Sequence, residues 1–262
     1  MSRLIAYVVL DADAPLNSAA VVAALRQRHP DQAIELMTGA SPPALGAVAS
    51  MTMMLRCAGL ELVVMAMPMP LPEEEWRLPA LRAASQSPQL APPFSGHKAH
   101  LVVTTIAEPS DHLASARSIA AVVGALIAVL PGCQAVVWAN LVAHAAEAWE
   151  VMSRDAFAPY PVFPYPLWVS LHPFKEGEKI GLITFGLMSF VGRELEFEPR
   201  DITPAEAMQK AAGLAVYLMQ NGPVLKDGET FGATPTERIL VRHAQSKRIP
   251  GLAVLHATAQ AA

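Results

Sequence analysis

His-x-x-His occurs once in the chain, at His97 and His100. On a strand this spacing turns the two side chains to opposite faces, and zinc needs three or four protein ligands, of which no third lies nearby in sequence. No metal site is expected. Met51, Met53, Met54, Met65, Met67 and Met69 gather in "MTMML" and "VVMAMPMP". Thioethers suit Cu(I), but without paired cysteines or a His-rich tract these residues read as fillers of irregular core gaps or as the lining of an adaptable contact surface. The nucleotide signatures G-x-x-x-x-G-K-[ST] and G-x-G-x-x-G are missing, as is the serine elbow G-x-S-x-G. His144 with Glu147 and Glu150 fits one exposed helix face. Cys57 and Cys133 lie in apolar surroundings, "MLRCAGLEL" and "VLPGCQAVV", which suit small core residues in a reducing cytosol better than a disulfide or a nucleophile. No catalytic residue and no cofactor is expected.

The polar residues left as weak binding candidates are His172, Glu194, Asp227, Glu229 and Thr230. Three of them sit in "VLKDGET", where Asp-Gly is the strongest two-residue hairpin signal because a type I′ turn needs positive φ at both positions. Lys226 and Glu229 then flank the turn. Asp227, Glu229 and Thr230 together fall short of a full oxygen shell for a hard cation, so a turn is the expected role.

Composition sets further bounds. The 262 residues suffice for one large domain or two modest ones. Nineteen Lys plus Arg against 23 Asp plus Glu give a net charge of -4, with no basic cluster, which argues against nucleic acid as a partner. Only 16% of residues are charged and 53% are hydrophobic, so the chain buries much or shows apolar surface to another protein or to a second copy of itself. "MSRLIAYVVLDADAP" has the parts of a signal peptide, but its apolar run is only Leu4 to Leu10 and Asp11 and Asp13 crowd the cleavage position; it reads as a first strand of a cytoplasmic protein. Residues 118–144 lack Asp, Glu, Lys and Arg, yet Pro131 and Gly132 cut them, leaving an apolar piece from Ile119 to Leu130 that is short for a bilayer.

The elements that must position these residues follow from periodicity. "RLIAYVVL", "AIELMTG", "LELVVMAMPMP", "HKAHLVVTTIA" and "QAVVWANLV" read as strands. Helices are expected over "SAAVVAALRQRHP" after Asn17 or Ser18, over the short "EEEWRLPALRAAS" within a proline-rich connection from Pro68 to Pro93, and over "AHAAEAWEVMSRDAF". The best helix spans residues 111 to 130, with Ser110 as cap, one aliphatic face from Ile119 to Leu130 and a small-residue face including Gly124; both faces are expected to be covered. "APYPVFPYPLW" alternates proline with aromatics and forms the expected hinge between an N-terminal portion, 1–157, and a C-terminal one, 158–262. Beyond it, "LWVSLHPF", "KIGLITFGLMSF" and "RELEFEP" read as a strand meander. "TPAEAMQKAAGLAVYLMQNG" follows as a helix with Thr203, Pro204 and Glu206 at its start and Gly222 after its end, and strands "PVLKDGET" and "TERILVRHA" close the chain. The fold class is α+β with mixed or mainly antiparallel sheets, and the opening order of strand, helix, strand, strand, helix, strand suits a ferredoxin-like N-terminal half.

"PLWVSL", "GLITFGLMSFVGRELEFEP", "AVYLMQNG" and "PVLKDGETFGATPTERILV" resemble the C-terminal region of the bacterial domain-of-unknown-function family numbered 4261. The likeness is strongest over the last hundred or so residues; Met188 and Gly192 fall in the strand context it implies, and Asp227-Gly228-Glu229-Thr230 stands where members tend to have Asp-Gly-Asp-Thr. The resemblance implies a bacterial cytosolic protein of a kind associated with toxin, immunity or secretion gene sets. With no catalytic constellation, a high apolar content and Met-rich and Pro-rich segments suited to an adaptable interface, the expected function is a non-enzymatic protein-binding module, an immunity or accessory protein, with a small-molecule binder or enzyme using a pocket between the two portions as the alternative.

Overall fold

The computed structural model describes residues 4–37, 52–86, 93–94, 96–108, 110–232 and 237–259. Met51 and Pro92 of the methionine- and proline-rich stretches lie outside them, as does the 233–236 part of the last turn. The chain forms two compact units, Ser2–Leu167 and Trp168–Ala262. The aromatic-proline stretch up to residue 167 belongs to the first.

The N-terminal unit is a seven-stranded antiparallel sheet with helices on both faces. In chain order it comprises β1 (Ile5–Leu10), α1 (Ser18–Arg28), β2 (Ile34–Leu36), β3 (Thr52–Cys57), β4 (Leu60–Met67), α2 (Glu73–Gln86), β5 (Ala99–Thr105), α3 (His112–Val129), β6 (Cys133–Trp138), β7 (Val142–Ala145) and α4 (Ala146–Met152). The strand order is β2-β3-β4-β5-β1-β6-β7. Its centre, β6-β1-β5-β4 with α1 and α3 as the crossing helices, is the split βαβ arrangement of a ferredoxin-like half.

Two strands here go beyond the sequence expectation. β3 lies within the methionine stretch and joins β4 through Ala58 and Gly59, both at positive φ (50° and 82°), a two-residue loop of the I′ kind in which alanine fills the place usually held by Asn or Asp. β7 takes the first residues of the segment expected to be all helix, so α4 is only seven residues long. Met53 is buried, whereas Met54, Met65 and Met67 are half-buried on the alternate face.

Alternation along β1 divides the core. Ala6 and Val8 share a face with Val103, Leu101, Trp138 and Val136 on neighbouring strands. Tyr7 and Val9 face the other way, where Val9 joins Leu71, Phe94, Ala135, Val137 and Ala143 under Trp76 of α2. Trp76 stacks on Phe94 at 4.7 Å. His97 is spent locally: its Nε2 accepts from the Leu71 N–H (3.0 Å) and its Nδ1 donates to the Phe94 carbonyl (2.7 Å). His100 is buried on β5, with Nδ1 against the Met69 carbonyl at 2.9 Å. Burial pushes the thiols of Cys57 and Cys133 up to about 12, far from a thiolate at neutral pH.

α3 is the axle of this unit. Its cap is Asp111, one residue later than expected, accepting from the Ala114 N–H at 2.9 Å. By length and composition it would span a bilayer, but most of it is buried against α1, α4 and the strands. Gly124 faces Ser153 and Arg28, and Arg28 in turn donates to the Glu150 carbonyl (2.6 Å) and the Ser153 hydroxyl (2.9 Å) and pairs with the Glu150 carboxylate. Any Cβ at 124 overlaps the Ser153 side chain. Replacing Gly124 with Leu should therefore lower stability by about 1–3 kcal/mol or more, read as a fall in the melting temperature or urea midpoint. A more stable variant would mean that this face of α3 is open.

Buried imidazoles give the unit a pH signature. His144 is held down to about 4 by burial, against the pull of the Pro166 and Leu167 carbonyls, and His29, also down to about 4, by burial and the Arg28 charge. The folded pKa values lie below the ordinary 6.5, so the unfolded chain takes up these protons first and stability falls as pH drops from about 6.5 toward 4. A His144→Gln chain lacks one share of that loss. The gap in urea midpoint between parent and variant should narrow as pH goes from 7 to 5; a constant gap would show that His144 titrates normally.

The C-terminal unit is a six-stranded mixed sheet. Its elements are β8 (Ser170–Glu176), β9 (Lys179–Phe185), α5 (Met188–Val191), β10 (Glu194–Arg200), α6 (Pro204–Asn221), β11 (Thr230–Phe231), β12 (Ile239–Gln245) and β13 (Ala253–Ala259), in the order β11-β12-β13-β10-β9-β8. β10 and β13 pair in parallel and all other neighbours antiparallel. α6 has the capping box expected of Thr203 and Glu206 and packs over β8, β9 and β10. The meander is interrupted by α5, a single helical turn within "GLMSFV", and β13 adds a closing strand from "AVLHATA".

Candidate functional site

Pairing places one residue from each of five strands in a row across one sheet face: His172 on β8, Ile183 on β9, Glu196 on β10, His256 on β13 and Arg242 on β12. Directly paired residues project to the same side, so this row gathers polar groups that lie up to 84 positions apart in sequence, from His172 to His256. The opposite side carries Leu182, Leu195, Phe197, Leu255 and Val241, all buried. The polar side of the sheet holds a groove of about 1010 Å³ lined by Glu176, Lys179, Glu196, Glu198, Lys247, Arg248 and His256 among others.

The wall of the groove is the turn from β12 to β13. Ser246 begins it: its Oγ donates to Glu196 Oε2 at 2.5 Å and accepts the N–H groups of Arg248 (3.1 Å) and Ile249 (3.0 Å). The turn then sends Lys247 to Glu198 (3.2 Å) and Arg248 to Glu176 (2.7 Å). The Arg248 guanidinium carbon also lies over the Phe174 ring, 3.5 Å from its centre. Phe174 can lie across the sheet because its partner on β9 is Gly181, where any Cβ would strike the ring. Lys247, then Thr258, hold the Glu198 carboxyl below the ordinary carboxylate range against the opposing effect of burial.

Chemically, the groove is equipped to bind. The Ser246 hydroxyl has both its proton and its lone pairs committed, and its partner is a carboxyl, not an imidazole, so it is a brace for the turn and no activated nucleophile. Two groups point to a ligand. Glu196 and His256 are only 3% and 8% exposed, yet Glu196 Oε1 and His256 Nε2 have no hydrogen-bond partner among the described residues and are not sealed from solvent. Among the described residues no group of three or more His, Cys, Asp or Glu is placed to hold a metal ion.

The sequence candidates do not converge. His172, half-buried, contacts Ser170 Oγ through Nε2 (3.0 Å) and the Phe185 ring edge-on at 5.0 Å. Thr230 is on β11, at the other edge of the six-stranded sheet, five strand spacings or about 24 Å from β8. Asp227 and Glu229 sit beside it. Asp227 Oδ1 accepts the His243 N–H (2.7 Å), Oδ2 takes Arg242 (3.3 Å), and His243 Nε2 donates to the Leu225 carbonyl (2.9 Å). The His243 N–H, then Arg242, keep the Asp227 carboxyl below its usual range. The turn is real but is not the I′ hairpin expected: only Gly228 has positive φ (83°), Glu229 N–H closes onto the Lys226 carbonyl (3.2 Å), and residues 223–226 form no strand. The side chain of Asp227 fastens this segment to β12.

Glu194 is a structural centre. Its fully buried carboxyl gathers Thr184 Oγ1 (2.7 Å) and Leu187 N–H (3.1 Å) on Oε2, and Gly186 N–H (2.7 Å) and Met188 N–H (3.3 Å) on Oε1. Thr184 Oγ1 also accepts the Leu195 N–H at 2.8 Å. Burial still pushes the Glu194 pKa up to about 7 against these four bonds.

Residues 183–256 match the family model described as Domain of unknown function (DUF4261). The matched segment runs from Ile183 of the polar row to His256 and contains Glu194, Glu196, Glu198 and the Ser246–Arg248 turn. No curated protein and no solved structure matches the chain.

Glu194→Gln replaces one acceptor oxygen by an NH2 group that must face donors on either side. It should cost about 1–3 kcal/mol of stability, measured by urea unfolding at pH 6. Because the folded pKa lies above the ordinary 4.5, the parent loses stability as pH rises from about 4.5 to 7, and the gap to the Gln variant should narrow over that range. A neutral substitution at pH 6 would mean that the four contacts do not hold the β9–β10 connection.

Proposed function

We propose that the chain is a non-enzymatic protein-binding module of the bacterial cytosol, of the immunity or secretion-accessory kind, and that the C-terminal groove is its recognition surface. One observation carries this reading. The groove pairs its own acids and bases across strands and commits the Ser246 hydroxyl to the turn, while two polar atoms of deeply set residues, Glu196 Oε1 and His256 Nε2, stay open among the described residues. Such a surface offers hydrogen bonds and charge complementarity without an activated group. Exposed apolar side chains, Leu78 and Leu81 on the outer face of α2, and Met208 and Tyr217 on α6, add contact area of the kind protein partners cover.

The same two open atoms favour a second reading, a small-molecule-binding protein that uses the C-terminal groove. Affinity capture with the tagged full chain from its native host separates the two. The first reading expects a stoichiometric protein partner that is lost from a Glu198→Lys chain; no partner together with a clean monomer in solution counts against it. A thermal-shift screen serves the second, since a ligand that binds only the native state raises the melting temperature.

A further inference from the structure

We propose that the Phe174–Glu176–Glu196 side of the groove is a guanidinium seat, filled in this structure by the chain's own Arg248, and that an arginine-bearing segment of a partner protein takes it in trans. The inference rests on the protein-binding reading above and names the chemistry of the partner. Arg248 shows what the seat selects: a guanidinium whose central carbon stands 3.5 Å from the Phe174 ring centre while one of its nitrogens donates to the Glu176 carboxylate at 2.7 Å. That geometry suits a guanidinium, which stacks and pairs at once, better than a compact ammonium.

The seat is built, because Gly181 is bare beneath Phe174 and the ring rests where any side chain on β9 would be. It is also larger than its present occupant requires. Arg248 pairs with Glu176 and Lys247 with Glu198, and neither takes the open Oε1 of Glu196, a 3%-exposed residue lining the same groove beside His256. The groove holds four glutamates, Glu176, Glu178, Glu196 and Glu198, against Lys179, Lys247 and Arg248. One acid more than the bases can neutralise leaves room for a cation from outside. Arg248 is tethered only by the short turn 246–252, so it acts as a competitor in cis at an effective concentration of order mM. A partner arginine must displace it or settle next to it on Glu196.

The test is titration of the peptide acetyl-Gly-Arg-Gly-amide into the full chain and its Arg248→Ala and Arg248→Gln variants at low ionic strength, with melting curves confirming that each is folded. Removing the competitor should tighten binding about tenfold in both variants. The citrulline counterpart, isosteric but uncharged, should not bind, and adding Glu196→Gln to Arg248→Ala should reverse most of the gain. Equal affinity for parent and both Arg248 variants overturns the proposal, as does equal binding of the citrulline peptide. Agmatine supplies the guanidinium without a peptide: weaker binding than the arginine peptide supports a partner segment as the occupant, and equal or tighter binding overturns it. A null titration leaves affinity capture free to find a partner on another face, and an empty capture leaves the titration result standing, so the two readings fail separately.

Discussion

The C-terminal unit depends on one buried carboxyl. Glu194 closes the passage from β9 through α5 into β10 by accepting from three consecutive backbone N–H groups and from Thr184, which itself accepts from the N–H of the residue after Glu194. Those donors would otherwise be orphans at a sharp reversal in the protein interior, each costing as much as a lost hydrogen bond. Fixing Glu194 also fixes which way β10 faces. With a side-chain period of two, Glu196 and Glu198 follow it onto the groove side while Leu195 and Phe197 go to the core, and a slip of one residue would exchange the two sets. The groove is thus a consequence of how one acid is buried two residues earlier.

Charge is distributed between the units in a way that fits this division of labour. Residues 168–262 hold ten acids and ten bases, whereas the longer stretch 1–167 holds thirteen and nine. The N-terminal unit covers both faces of its sheet with helices and keeps its buried imidazoles neutral. The C-terminal unit covers one face with α6 and places charge pairs on the other, reaching from β8 and β10 to the β12–β13 turn. Single surface pairs contribute little to stability. Arranged along one groove, they satisfy one another and leave Glu196 Oε1 and His256 Nε2 as its open groups.

Where the fold was legible, local rules and tertiary demands agreed. The capping box of α6, the Asn17 cap of α1 and the aliphatic repeat of α3 are intrinsic to their segments. β3 was hidden because its methionines suggested a ligand or a contact surface, and because its I′ turn uses Ala58 where Asn or Asp is the usual sign. β7 was hidden by "AHAAEAWEV", helical in composition, whose first residues are taken by pairing with β6. β13 is alanine-rich and follows a turn with no Asn-Gly or Asp-Gly signal, yet it is central, because its pairing partners are β12 on one side and β10 on the other.

The groove itself could not be read from the chain because its defining contact is non-local. Glu196 and His256 are sixty positions apart and meet only because β13 inserts in parallel beside β10 instead of extending the meander at its edge. Had β13 joined the free side of β8, the Ser246–Arg248 turn would reach neither Glu196 nor Glu198, and the acids of β10 would face solvent without partners. The insertion also carries β12 and β11 outward, which takes Asp227, Glu229 and Thr230 to the opposite edge from His172. Residue type alone grouped those four with Glu194 as candidates. Strand order separates them into a buried brace, an edge tether and one member of the polar row, and the groove is instead lined by Glu196, His256 and the Ser246–Arg248 turn, which show no motif until the sheet is assembled.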